Sequence, residues 1–547
     1  MRQNIVFVSF FFTLLIGTAH TAPILGSPEA KKGGVFRYNL PATPPTLNPI
    51  TARDNYSITV KYWLAESLLD RHEETYEWMP VLAEKYSISK DKKEFTFDLR
   101  KGVKFHDGSE LTAEDVKFSF EVERLDLYQT AAEGAIQTEW LEKIDVLDRY
   151  KIRFRTKKAI FSNFDQIATH SILPKTIYGD KEKVASLNKT VVGTGPYRIK
   201  EYQPNTKLLL EANPDWWGRG LPEYHHKYNF AQILVRFIME DQVKLEMLET
   251  GDLDYAGLKI DQYLARTKGK RWGKDVFAVR ADYQAVFTTQ TSLFWNLRLP
   301  QFQSKRTREA LQLLLDRNLI NEKIRGGLSS LAIGPWSNFS YYADPEMKPT
   351  PFDPKRAREL LREEGWRDSD GNGILDKEWE GKKIELKFNL NYALRDWEKY
   401  FSIYQEELKK SGVRMEMQYL DWNLFLKQLD ELNFDAYIVG RGYPGVIDFN
   451  PKNEWHSART AKMDNNTIGY KNTAVDKLLE QAELEYNREK RAKLLRKAYR
   501  LIAEDYSQLQ LLNESFAVYA HSSRIKKPVN NYKYSQGLDY WWIETGK

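Results

Sequence analysis

The sequence contains no cysteine in its 547 residues. That absence excludes disulfides, thiol catalysis and the lipid-carrying cysteine that tethers many exported proteins to a membrane. Long apolar runs are missing after the N-terminus, since no later segment approaches the roughly 18 unbroken apolar residues of a membrane span. A one-sided charge is missing too, because the formal net charge is only +6 and no dense basic stripe occurs. Nucleic-acid binding is therefore not indicated.

The N-terminus has the pattern of a targeting segment. Arg2 precedes an apolar stretch from Ile5 to Ile16. As a helix this stretch would be about 18 Å long, short of a hydrocarbon core of about 30 Å. We expect residues 1–22 to be a secretory signal peptide cleaved near Ala19 or Ala22, with an N-terminal membrane anchor as the alternative. Export without a lipid anchor predicts a periplasmic location.

Hydrophobic periodicity along the rest of the chain alternates between two types. Apolar and polar residues alternate from Glu94 to Arg100 as in a half-buried strand, and Thr112 with Asp115 has the spacing of a helix N-cap. Apolar residues recur at helical spacing over 475–482 and 494–502. The chain is too long for one ordinary core, so these patterns predict an α/β protein of two or three domains.

Four groups of motifs follow one another along the chain. They are Gly33-Gly-Val-Phe-Arg-Tyr38 with Thr46-Leu-Asn-Pro49, Phe95-Thr-Phe-Asp-Leu-Arg-Lys-Gly-Val-Lys-Phe-His-Asp-Gly108, Gly193-Thr-Gly-Pro-Tyr197 with Asn213-Pro-Asp-Trp-Trp-Gly218, and Asn296-Leu-Arg-Leu-Pro300 with Gly469-Tyr-Lys-Asn-Thr-Ala-Val-Asp476. In this order they resemble family 5 of the bacterial extracellular solute-binding proteins, the peptide and nickel receptors of ABC importers. Gly365-Trp366 and Asn453-Glu-Trp-His-Ser457 look most like the YejA-type branch, whose members serve importers of oligopeptides and microcin C.

The resemblance implies a fold. It is the α/β, two-lobed periplasmic-binding-protein fold of type II, with three domains as in cluster C and a hinge between the lobes. The main domain of the first lobe would combine residues 33–69, 192–290 and 513–547, and its accessory domain would occupy 70–191. The second lobe would be 291–512. The chain would then cross between lobes near 290 and 512.

The resemblance also implies a function. The chain would be the periplasmic substrate-binding component of an ABC transporter, capturing oligopeptides or peptide-like compounds for an inner-membrane permease and its ATPase. We expect a monomer that is not an enzyme, since the sequence has no nucleophile elbow, zinc-protease motif or phosphate loop. Two alternatives stay open: a secreted hydrolase of peptides or cell-wall fragments, and a ligand sensor without transport.

Candidate ligand contacts come partly from a departure from the family pattern. Oligopeptide receptors of this family capture the peptide amine with an Asp in a Trp-x-Ala-Asp-Tyr context, and the corresponding stretch 437–445 has no Asp. Arg441 suggests a carboxylate or phosphate partner instead, or else a pair with a neighbouring acid. The predicted ligand-binding residues are Asp54, Asn55, Tyr56, Trp295, Asn296, Arg441, Tyr443, Asp448, Glu454 and Trp455, and no catalytic residue is expected.

One acidic loop has the spacing of a calcium site. Its candidate ligands, at positions 1, 3, 5 and 9 of such a loop, are Asp368, Asp370, Asn372 and Asp376. Trp379 stands at position 12, where the bidentate Glu belongs. The loop is therefore either a weak structural calcium site or an acidic turn held by side-chain-to-backbone hydrogen bonds. No cofactor is expected to be required.

Overall fold

The computed structural model describes residues 23–544 except 53, 126–127, 129–138, 181, 283–288, 443–447 and 463. The strands are β1 (Val35–Leu40), β2 (Leu69–Arg71), β3 (Trp78–Pro80), β4 (Ala83–Ile88), β5 (Glu94–Leu99), β6 (Leu141–Asp148), β7 (Lys151–Thr156), β8 (Tyr197–Gln203), β9 (Lys207–Ala212), β10 (Gln232–Phe237), β11 (Tyr255–Gly257), β12 (Val276–Asp282), β13 (Thr289–Trp295), β14 (Ser330–Leu331), β15 (Asp376–Trp379), β16 (Lys382–Glu385), β17 (Lys387–Tyr392), β18 (Arg414–Tyr419), β19 (Ala436–Gly442), β20 (Gln508–Glu514), β21 (Phe516–Ser522), β22 (Ile525–Lys526) and β23 (Trp542–Ile543).

Helices connect most of these strands. They are α1 (Asn55–Tyr62), α2 (Ala113–Glu121), α3 (Asn163–Ala168), α4 (Lys175–Tyr178), α5 (Asp241–Thr250), α6 (Ile260–Ala265), α7 (Pro300–Gln303), α8 (Lys305–Leu313), α9 (Arg317–Arg325), α10 (Pro354–Glu363), α11 (Glu398–Lys410), α12 (Trp422–Asp430), α13 (Lys452–Trp455), α14 (Thr473–Leu484) and α15 (Arg488–Glu504). Within the described part of the chain, none of the helices has the length and apolar character needed to cross a membrane.

Three larger sheets organise the molecule. The first sheet has seven strands in the order β12-β21-β11-β1-β10-β9-β8, and the second has six in the order β14-β20-β13-β19-β17-β18. The third is antiparallel, in the order β4-β5-β7-β6. We call the first and third sheets with their helices the first lobe, and the second sheet with its helices the second lobe. Alternate residues of β13 point to opposite faces, so Trp295 enters one core of the second lobe and Phe294 enters the other.

The chain passes between the lobes at two adjacent places. β12 of the first sheet leads through 283–288, outside the described residues, to β13 of the second, and only Ser515 separates β20 from β21. Asp282 pairs with Phe516 in the first sheet, and Thr289 pairs with Glu514 in the second. Two adjacent connections of this kind permit a hinge motion of one lobe against the other.

Strand direction determines which loops face each other across this junction. In the first sheet β1, β10 and β11 run parallel and end on the side of the crossings, as do β17, β18 and β19 in the second sheet. The described loop residues at these carboxyl ends are 41–52, 54, 238–240 and 258–259 in the first lobe, and 393–397, 420–421 and 448 in the second. The space between them is the interlobe cleft, the place where open α/β sheets bind ligands.

The third sheet is held firmly to the first. The backbone N–H of His106 donates to the carbonyl of Gly193 at 2.9 Å, and Gly195 N–H donates to the carbonyl of Leu64 at 3.0 Å. A Cβ atom at Gly193 would lie 2.3 Å from the same Leu64 oxygen, so only glycine permits this approach. The third sheet therefore moves with the first lobe.

Candidate functional site

Two aromatic rings meet across the interlobe cleft. Tyr56 in the first turn of α1 and Trp422 at the start of α12 have ring centroids 5.3 Å apart at 54°. Each helix start is held by an aspartate N-cap: Asp54 accepts the N–H of Tyr56 at 2.9 Å, and Asp421 accepts that of Leu424 at 3.1 Å. The lobes are therefore in contact, and the conformation is closed at this point. Trp422 is absent from the sequence prediction, although its position just after a strand and an Asp cap is a readable signal.

The predicted residues at the start of α1 divide into different roles. Asp54 is 7% exposed, and its carboxylate serves the helix cap and the hydroxyl of Ser57. Asn55 is exposed, and its carbonyl accepts a hydrogen bond from Thr59. The ring of Tyr56 lies in the cleft, so of the three it is the residue best placed to touch a ligand.

Arg441 lies near the end of β19, beside the crossings. Its guanidinium stacks over the ring of Phe294 at 4.4 Å and donates to the Glu454 carboxylate at 3.2 Å and to the hydroxyl of Tyr437 at 3.3 Å. The structure thus shows the neighbouring acid that the sequence left as an alternative partner. Arg441 and Glu454 each keep 26% of their side-chain surface exposed. A ligand contact through this pair stays a prediction.

A small recess surrounds the Arg441–Glu454 pair. Trp455 and the segment 465–468 complete its wall. Trp455 is 1% exposed, and its indole Nε1 is buried without a hydrogen-bond partner in the described part of the protein. A buried donor left in this way costs roughly 1–3 kcal/mol of folding free energy.

Asp448 is engaged in a cluster of the second lobe. Its carboxylate accepts hydrogen bonds from Arg491 at 2.9 Å and from the hydroxyl of Tyr342, and it forms an ion pair with Arg488 at 3.3 Å. The Arg491 side chain is only 3% exposed, so this pair neutralises a buried cation. Tyr443, also predicted as a contact, lies outside the described residues.

Trp295 and Asn296, which are among the predicted ligand-binding residues, lie away from the crossings. The crossing precedes β13, and Trp295 ends that strand about 20 Å farther on, at about 3.4 Å per residue. Trp295 is fully buried and packs edge-on against Phe388. Asn296 is also buried, with its amide bound to the carbonyl of Phe434 at 2.9 Å. Both are core residues remote from the cleft.

The acidic loop is organised around a lysine. Oxygens of Asp368, Asp370 and Asp376 lie within 4.8 Å of one another. Lys383 of β16 donates to Asp370 at 2.7 Å and lies 3.2 Å from an Asp376 oxygen. The Lys383 hydrogen bond lowers the pKa of Asp370. Hydrogen bonds from Ser369, and then Lys383, lower the pKa of Asp376.

Backbone hydrogen bonds also support the turn that carries these acids. Gly373 N–H donates to Asp368 at 3.0 Å, and the predicted ligand Asn372 accepts from the N–H of Ile374 at 2.8 Å. These bonds are the ones that the acidic-turn interpretation requires. Calcium binding stays a prediction, in which the ion competes with the ammonium of Lys383.

Comparison with known proteins gives one family. A sequence model of the bacterial extracellular solute-binding proteins, family 5 Middle, matches residues 77–460. The oligopeptide-binding protein AppA of Bacillus subtilis is 28% identical over 539 residues, which are 95% of this chain and 93% of AppA. The probable peptide-binding protein YejA of Agrobacterium fabrum is 25% identical, over 94% of this chain and 90% of YejA. The identity to AppA is therefore higher than the identity to the YejA-type relative.

A solved structure extends the likeness to three dimensions. The oligopeptide-binding protein AppA from Bacillus subtilis, in complex with a nonapeptide, matches with a TM-score of 0.82 and 25% identity. The match covers 94% of this chain and 100% of the other. The α/β two-lobed architecture is thus shared over almost the whole length.

Proposed function

Because the chain belongs to family 5 of the bacterial extracellular solute-binding proteins, we propose that it captures an oligopeptide or peptide-like compound and delivers it to an ABC importer. The observation that carries this proposal is the pair of α/β lobes joined by two adjacent crossings, with the carboxyl ends of parallel strands facing each other. The AppA structure, which matches this chain over 94% of its length, holds a nonapeptide. That likeness supports a peptide as the ligand class.

The cleft offers groups suited to a peptide backbone. Tyr56 and Trp422 supply flat apolar surface from opposite lobes. The Arg441–Glu454 pair presents a donor and an acceptor side by side. Groups that all peptides share can bind such an arrangement whatever their side chains.

The hinge of this receptor would be the two crossings, at 283–288 and at Ser515. We propose the predicted division, 33–69, 192–290 and 513–547 for the main domain, 70–191 for the accessory domain and 291–512 for the second lobe, with two of its boundaries moved. The boundaries near 290 and 512 move to 283–288 and Ser515, because Thr289 and Glu514 pair within the second sheet. The change of sheet between β12 and β13, and again between β20 and β21, supports it. Ligand affinity that is greater in the closed state would drive the motion.

Location and partners follow from the family. Its members are extracellular, and residues 1–22 would direct export to the periplasm as a cleaved signal peptide. A monomeric receptor would then meet an inner-membrane permease and its ATPase. Release of the protein by osmotic shock, with an N-terminus between residues 20 and 23, is the expected result. Recovery in washed membranes with Ile5 to Ile16 intact would contradict it.

Native mass spectrometry of freshly purified protein tests the ligand class directly. We expect a bound mass that dissociates on denaturation and fragments as a peptide or peptide-like compound. Incubation with a peptide mixture separates the binding function from the hydrolase alternative, since a receptor returns the peptides intact. Cleavage products in molar excess over the protein would overturn the proposal, because only an enzyme turns over repeatedly.

A further inference from the structure

The first lobe also touches the second through residues other than Tyr56 and Trp422. The segment Ile160–Phe161, between β7 and α3, belongs to the third sheet's side of the first lobe. It lies against the end of α14 and the start of α15 in the second lobe. Phe161 N–H donates to the carbonyl of Glu483 at 3.0 Å, and the Tyr486 hydroxyl donates to the carbonyl of Ile160 at 2.9 Å.

Side chains strengthen this docking. The ring of Phe161 lies under the guanidinium of Arg491 at 4.0 Å, and Lys92 lies over the ring of Tyr486 at 4.0 Å. An ion pair between Glu139 and Arg459 adds a further contact between the lobes. Stacking of a cation on an aromatic ring gains more when the cation leaves water, as Arg491 does with 3% of its side chain exposed, whereas Lys92 is exposed.

The receiving surface is built inside the second lobe and needs no ligand. Arg491 is held by Asp448 and by the carbonyl of Glu485 at 2.7 Å, so its charge is already neutralised. Glu483 is 5% exposed and is paired with Lys452 at 2.7 Å. The docking surface is therefore ordered by its own lobe before the other lobe arrives.

We propose that Ile160–Phe161 is a latch that holds the two lobes closed, and that it populates the closed conformation even without a ligand. The third sheet is fixed to the first lobe through Gly193 and Leu64, so docking of the latch closes the cleft between the first and second sheets. The latch contact is made between protein groups alone, so it can form without a ligand. A larger closed fraction raises apparent ligand affinity in proportion, so the latch would tune affinity without touching the ligand.

The absence of native cysteine permits a direct distance measurement. Spin labels on Glu142→Cys, in β6 of the first lobe, and on Lys493→Cys, in α15 of the second, would report lobe separation by pulsed electron resonance. Both positions are exposed. The distance distribution is recorded first on the full protein as purified. The protein is then freed of co-purified ligand by unfolding and refolding, and the distribution is recorded again.

The labelled protein without ligand should show a population at the closed distance. Phe161→Ala should lower the ratio of closed to open molecules by roughly 5- to 30-fold, from the loss of the stacked cation. Tyr486→Phe, which keeps the ring and removes one hydrogen bond, should lower it by roughly 2- to 10-fold. Leu147→Ala, an exposed apolar residue of the same sheet, is the matched control and should change nothing.

Two results would overturn the latch. One is a ligand-free protein that shows only the open distance, and the other is a Phe161→Ala distribution identical to that of the parent. Tyr486→Phe keeps the test decisive if Phe161→Ala does not fold. The measurement uses no ligand, so failure of the latch is distinct from failure of peptide binding.

Discussion

Lys227 lies 2.9 Å from the carboxylate of Asp539, although more than half of the chain separates the two residues. Glu73 approaches the same ammonium at 3.3 Å, and all three side chains are almost completely buried. Burial, and then the nearby Asp539, raise the pKa of Glu73. One lysine thus balances two buried acids and ties the C-terminal segment to the body of the first lobe.

Replacing Lys227 with Met should destabilise the protein strongly. The change leaves two buried acids without their cation, and loss of one partner of a buried pair costs about 3–5 kcal/mol. Urea unfolding followed by circular dichroism measures the loss. Lys183→Met breaks the exposed pair with Asp180 and is the control, with an expected cost below about 1 kcal/mol. Equal effects of the two substitutions would contradict the argument.

Glu66 should make the stability depend on pH. Trp216 and Trp217 donate to its carboxylate at 3.0 and 2.7 Å, yet burial raises the pKa of Glu66 to about 7. A raised pKa means that the folded state prefers the protonated acid. The stabilisation is therefore complete below pH about 4.5, is lost as pH rises through about 7, and is constant above. Since Glu66 keeps some exposure, we expect a loss of about 2 kcal/mol.

The free energy of unfolding of wild type and Glu66→Gln, measured from pH 4.5 to 8, tests this expectation. In the variant, the free energy of unfolding should not show the decrease between pH 4.5 and 7 that Glu66 causes in wild type. His170, which packs on Phe120 and whose burial lowers its pKa to about 4, contributes a loss of stability as pH falls below about 6.5. That contribution is the same in both proteins and cancels in the difference. Parallel pH profiles would show that Glu66 does not titrate in this range.

Arg441 should contact an anionic group of the ligand in the closed cleft. Arg441→Ala should weaken binding of the ligand identified by native mass spectrometry by about 2–5 kcal/mol, or roughly 30- to 5,000-fold. Arg441→Lys should also weaken it, because lysine keeps the charge but loses the planar fork. Titration calorimetry measures each affinity.

Glu454→Gln is the matched control for Arg441. It removes the charge that competes for the guanidinium at 3.2 Å, so it should leave binding of an anionic ligand unchanged or make it tighter. An Arg441→Ala affinity within twofold of wild type would mean that Arg441 only supports its own loop. Equal weakening by both substitutions would point to the ion pair as a unit of local structure.

Calcium should bind the acidic loop well only after Lys383 is removed. The ammonium at 2.7 Å from Asp370 occupies the place of the calcium ion, and position 12 of the loop is Trp379, which has no side-chain oxygen to offer. Millimolar calcium should leave the melting temperature of wild type within about 1 °C and raise that of Lys383→Met by a few degrees, by mass action on the folded state. A rise in wild type that Asp370→Ala abolishes would show a calcium site.

Local structure could be read from the sequence because its causes are close in the chain. The strand predicted from the alternation after Glu94 is β5, and Thr112 N–H donates to Asp115 at 2.9 Å as the capping spacing predicts. The apolar spacings over 475–482 and 494–502 fall within α14 and α15. Hydrogen bonds and periodicity of this kind involve residues a few positions apart. The two-lobed fold class was predicted differently, from the resemblance of the ordered motifs to a known family.

The sequence by itself therefore determined several strands and helices of this protein, and the family whose resemblance implies the two-lobed fold. Only the tertiary structure decided that Trp295 is a core residue, that Glu454 is the acid beside Arg441, and that Phe161 docks on the opposite lobe. The physical reason is that these contacts depend on strand order, on the face of the sheet to which a side chain points, and on lobe closure. Each of these brings together residues that are distant in the chain, and the local sequence around one residue does not indicate which distant residue it will contact.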